Sequence, residues 1–126
     1  MERVRFESWM GKRIVVVDGT DVTAEAYATT LRQGAALVTQ EPLGSVLLAT
    51  VVTRARFGPG AAEHIKAYSR AIRPFVTASA VVGLSPLQRI IFTTARPFLH
   101  ATVRDFATLD EAKGWLVAAA GPAKTP

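Results

Sequence analysis

Arg13-Ile14-Val15-Val16-Val17-Asp18, followed by Gly19-Thr20, decides how this chain is read. Its four central residues are β-branched without a break, which suits a strand covered on both faces. A polar Asp-Gly-Thr step then ends the run, and the apolar period changes. Tyr27, Leu31, Ala35 and Val38 recur at helical spacing, with Thr23 placed to cap the first turn. Gly34 lies inside that helix at a cost of up to ~1 kcal/mol relative to alanine, so it marks a close approach to a sheet. A buried strand followed by an amphipathic helix is half of a parallel crossover unit.

Two more such units follow. Pro42 and Gly44 close the first helix, and Ser45 to Thr53 is a second two-faced strand. Phe57-Gly58-Pro59-Gly60 leads into a helix with Ile65, Tyr68, Ile72 and Phe75 on one side, and Pro74 limits its end. Ala78 to Gly83 is a third buried strand. Ser85-Pro86-Leu87-Gln88 carries a capping serine, a proline at the first helical position and a glutamine able to reach back. Leu87, Ile90, Ile91, Thr94 and Phe98 are expected to form the inner face of that helix, with Phe92 off it. Thr102 to Phe106 reads as a final strand. Thr108-Leu109-Asp110-Glu111 opens a last helix whose inner face is Ala112, Trp115, Leu116 and Ala119. Before the opening stretch, Val4 and Phe6 alternate with Arg3, Arg5 and Glu7, and Trp9-Met10-Gly11-Lys12 makes a turn. The predicted order is β-β-α-β-α-β-α-β-α: a mostly parallel five-stranded α/β sheet with an antiparallel first strand and helices covering it. One domain over residues 1–120 is expected, with 121–126 a frayed tail.

The 126 residues contain no cysteine, which excludes disulfides and thiolate chemistry. Met1 to Arg13 holds no apolar signal core. The longest charge-free run, Pro74 to Gln88, falls short of the ~20 apolar residues of a membrane span. The expectation is a soluble cytoplasmic protein. The formal charge is +5, and eleven of the fifteen basic residues are arginine. Between Glu63 and Asp105 there is no acid, while Lys66, Arg70, Arg73, Arg89, Arg96 and Arg104 lie in that stretch. Such a bias favours acidic partners.

Several segments in order resemble one family: Gly11 to Asp18, Pro42 to Leu48, Thr53 to Phe57, Arg73 to Val76, Ala80 to Leu84, Val103 to Phe106, then Asp110-Glu111-Ala112 and Trp115-Leu116. Together they resemble the bacterial STAS/Sec14-like proteins, similar in fold to the anti-anti-sigma factor SpoIIAA. The resemblance implies a non-enzymatic module that binds partner proteins and sometimes nucleotides. It also implies a phosphorylation switch in the loop after the third strand. Here that loop has no serine and lacks the acidic residue usual before the switch site. Thr53 is the single hydroxyl left, and the departure argues against a phospho-switch.

Ligands in open α/β sheets sit outside the carboxyl ends of the strands. That rule selects Asp18, Thr53, Arg54 and Ser85, with Arg56 and Arg89 able to complete a site for a small anionic ligand such as a nucleotide or lipid. The plainer alternative makes Asp18 a turn residue, Ser85 and Gln88 a cap, and the arginines surface charges. His64 and His100 have no metal-ligand spacing, so no metal, cofactor or catalytic residue is expected. A recognition helix and an aromatic platform are both missing, which argues against nucleic acid. The leading expectation is a regulatory module binding a protein through Lys66, Arg70, Arg73, Phe92 and Arg96. A homodimer stays open.

Overall fold

A computed structural model describes residues 2–95 and 103–120. Strand β1 (Val4–Trp9) pairs antiparallel with β2 (Lys12–Asp18). Then follow α1 (Ala24–Val38), β3 (Val46–Val51), α2 (Ala61–Ile72) and a short 3₁₀ turn at Arg73–Phe75. Strand β4 (Val76–Val82), α3 (Pro86–Ala95), β5 (Val103–Phe106) and α4 (Leu109–Ala120) complete the order. It is the order expected from the sequence.

The strands lie side by side in chain order, and every pair after the first is parallel. Crossovers of one hand that step in one direction deposit their helices on one face. Helices α1, α2 and α3 accordingly pack beside one another, while α4 packs on β3, β4 and β5 from the opposite face. Alternation along the strands serves both layers. Ile14, Val16, Leu47, Ala49, Val51, Ala78, Ala80 and Val82 meet Ala112 and Leu116 of α4. Val15, Val17 and Leu48 meet Val38 and Ile72 on the other side.

Local details agree with the sequence. Thr23 Oγ1 accepts the Ala26 amide at 3.1 Å and caps α1. A Cβ on Gly34 would stand 2.7 Å from a Val17 methyl, so only glycine lets α1 lie this close to β2. Thr108 Oγ1 accepts the Glu111 amide at 3.2 Å at the start of α4.

Two helix faces differ from expectation. In α3, Phe92 is 7% exposed and belongs to the core, whereas Leu87 and Ile90 are 69% and 65% exposed. The polar Gln88 occupies the inner line with Phe92, which turns the helix away from its purely apolar period. In α4, Ala119 is exposed, and the inner face takes in Lys113 instead. Phe98, His100 and Thr102 lie outside the described residues, as do 121–126.

Candidate functional site

The carboxyl ends of the strands bring together most of the residues selected from the sequence. After β2, the Asp18 carboxylate accepts the Thr20 amide at 3.0 Å and the Thr20 hydroxyl at 2.6 Å. Arg5 stands 3.7 Å from its other oxygen. Burial pushes the Asp18 carboxyl up, but the Thr20 bonds and the positive charges of Arg5 and Arg3 outweigh it, leaving the group below its ordinary range. Asp18 is thus an ionised turn residue.

After β3, Arg54 adopts a left-handed conformation at φ 53°. It grips Asp21, also left-handed at φ 59°, through two bonds of 2.7 and 3.0 Å. The Arg54 bond holds the Asp21 carboxyl low. Arg56 is exposed, and its amide donates to the Val22 carbonyl at 2.9 Å. Thr53 is half-buried against Gly83, which follows β4. Gly83 itself takes φ 85°, and its amide donates to Phe106 at 2.9 Å, so this amide is engaged by β5.

The start of α3 closes the space between these strand ends. Ser85 Oγ accepts the Gln88 amide at 3.1 Å, and Gln88 Oε1 accepts the Ser85 amide at 2.8 Å. The same Gln88 side chain donates from Nε2 to the carbonyls of Val52 at 3.0 Å and Ala55 at 2.8 Å. One buried amide therefore caps a helix and ties down the loop after β3. The sequence showed the cap; the second role needed the β3 loop to be in place. Arg89 pairs with Asp105 at 2.7 Å on the edge strand rather than turning to the other strand ends.

On the opposite face, β1 carries a half-buried ionic chain that the sequence reading passed over. Arg5 bonds Glu7 at 2.7 Å, and Glu7 bonds Lys113 of α4. The Lys113 ammonium also lies 5.3 Å from the Trp9 ring centre. Its clue was the alternation of β1: Arg5, Glu7 and Trp9 share the face that α4 covers.

Between the sheet and the three-helix layer is a cavity of about 50 Å³. Its walls are mostly apolar, but Thr50, Tyr68, Ser69 and Ser79 bring hydroxyls to it. Thr50 Oγ1 and the Tyr68 hydroxyl share one hydrogen bond of 3.1 Å. Burial raises the Tyr68 phenol well above its ordinary value, so it is neutral.

Of the residues expected to meet a partner, Arg70 and Arg73 are exposed on α2 and the turn after it. Lys66 is largely covered and lies 3.4 Å from Glu63. Phe92 is withdrawn into the core, which removes it as a surface anchor. Arg96 lies outside the described residues. Among those residues, no group of three His, Asp or Glu side chains is placed to hold a metal ion. No helix there is long and apolar enough to cross a membrane.

No known family, curated protein or solved structure matches this chain.

Proposed function

We propose that the chain is a non-enzymatic regulatory or signalling module of the STAS/SpoIIAA-like kind, acting in the cytoplasm by binding a protein through the exterior of its three-helix layer. One observation carries this reading. Asp18, Gly83, Ser85, Gln88 and Arg89 at the strand ends are spent on turns, caps and an ion pair, whereas Arg70 and Arg73 stand exposed on the helical layer. The strand-end groups are thus accounted for by the fold itself, which turns attention to the exposed charges of the helical layer.

The test is a photo-crosslinking residue placed at Arg70 in cells, followed by titration of the purified captured protein. Saturable binding that is weakened by Arg70→Glu with Arg73→Glu supports the reading. A captured protein that binds both forms alike removes the helical layer from the interaction.

A second reading, a small anionic ligand at the strand ends, is favoured by the left-handed backbone of Arg54 beside the exposed Arg56. Nucleotides and short-chain anionic lipids that leave the melting temperature unchanged would count against it.

A further inference from the structure

The helical layer has a repeating geometry. In α2 the buried line is Ala61, Ile65, Ser69 and Ile72. His64, Ala67 and Ala71 border α1, where Ala28, Arg32 and Ala35 face them. The opposite flank of α2 therefore carries Lys66, Arg70 and, just past its end, Arg73. Because β3, β4 and β5 are parallel, α2 and α3 run in the same sense and present corresponding flanks.

In α3 the buried residues among those described are Gln88 and Phe92. Leu87 and Ile90 stand to Gln88 as His64 and Ala67 stand to Ile65, so they are turned toward α2. Arg89 takes the other flank, as its bond to Asp105 of the edge strand requires. Helices α2 and α3 pack side by side. One groove thus has Leu87 and Ile90, 69% and 65% exposed, along one wall. The exposed Arg70 and Arg73 lie along the other, with Lys66 largely covered and paired with Glu63. No acidic residue occurs in the sequence between Glu63 and Asp105, and Arg70 and Arg73 are exposed on this flank.

We infer that the α2–α3 groove docks an acidic amphipathic helix of a partner protein. Its aliphatic side chains pack on Leu87 and Ile90, and its carboxylates face Arg70 and Arg73. Helix-in-groove recognition uses apolar anchors at helical spacing, and opposite charge sets orientation and encounter rate. Two exposed aliphatic side chains on the same helical layer as the exposed arginines favour a partner with an apolar face over a bare polyanion. The inference rests on the protein-binding reading above and names its partner's chemistry.

The experiment titrates the whole chain into two fluorescent helical peptides with the same leucine spacing, one with glutamates and one with lysines on the polar face. The glutamate peptide binds saturably, and added salt weakens it. Ile90→Ser alone, and Arg70→Glu with Arg73→Glu, each weaken it about tenfold, while Ala36→Glu on the outside of α1 leaves it unchanged. Circular dichroism checks that each variant is folded.

Equal binding of the two peptides overturns the inference, as does no binding of either or indifference to Ile90→Ser. Binding of a single-stranded oligonucleotide that Arg70→Glu with Arg73→Glu abolishes and Ile90→Ser spares assigns the groove to polyanions and also overturns it. Self-association lost in Ile90→Ser makes the occupant a second copy of this chain. If the captured partner is lost on α1 substitution but not on groove substitution, the groove is wrong and the module reading stands. If neither partner nor peptide binds, both fall.

Discussion

Gly83 lies so close to Thr53 that a Cβ on Gly83 would stand 2.1 Å from Thr53 Oγ1. The contact joins the ends of β3 and β4 at a point where Gly83 also takes φ 85°. Gly83→Ala meets both a steric and a backbone penalty and is expected to cost about 3 kcal/mol. Urea unfolding measures it as a lower midpoint at unchanged slope. Adding Thr53→Ala removes the nearest atom and recovers part of the loss. No recovery would mean the backbone conformation alone sets the cost.

Gln88 is tested by its shape. Gln88→Ala strips donors from the Val52 and Ala55 carbonyls and the acceptor from the Ser85 amide, at about 1–3 kcal/mol for a buried group left unpaired. Gln88→Glu keeps the volume but aims a carboxylate at two carbonyl oxygens, so it is expected to be at least as damaging. Thermal unfolding of the three proteins gives the order.

Glu7 and Asp18 make stability depend on acid. The Lys113 bond lowers the Glu7 carboxyl against the raising effect of burial, with Arg5 adding to it. The folded state therefore binds fewer protons than the unfolded state at low pH. The stabilisation is complete above the ordinary Glu value of 4.5 and is lost as pH falls through the lowered folded value. Asp18 adds a loss of the same sign below its ordinary 3.8. Glu7→Gln is expected to flatten the upper part of this decline, measured by urea unfolding between about pH 6 and about pH 2.

The rotation of α3 separates two substitutions that periodicity alone would rank the other way. Phe92→Ala empties core volume and is expected to cost about 3–4 kcal/mol, while Leu87→Ser on the open flank stays within about 0.5 kcal/mol. Chemical denaturation of both variants decides it.

Ser79 is 7% exposed, and its side chain lines the mostly apolar cavity. Ser79→Val replaces a buried hydroxyl with carbon and fills part of the space, and is expected to raise stability by about 1 kcal/mol. A lower melting temperature would show the hydroxyl to be needed.

The sheet was legible because Ile14 to Val17 and Val46 to Val51 are apolar on both faces, and strands of that kind need helices above and below. Thr23, Ser85 and Thr108 announced helix starts because capping is a local interaction. What escaped was decided by distant contacts. Gln88 looks like a surface cap until the β3 loop supplies two carbonyls for it, and that pull turns Leu87 and Ile90 outward against their hydropathy. Lys113 looks like a solvent-facing charge until β1 places Glu7 beneath it. The strand ends were found from topology, but whether they formed a crevice depended on how Gly83 and Gln88 filled them.

Helices α1 to α3 are each laid down between two strands they help to join, but the other side of the sheet waits for α4. During synthesis, Ile14, Leu47, Ala78 and their neighbours stay uncovered until residues 109–120 leave the ribosome. Apolar surface left open on an incomplete chain is prone to aggregate, so the last helix closes the face that carries this hazard.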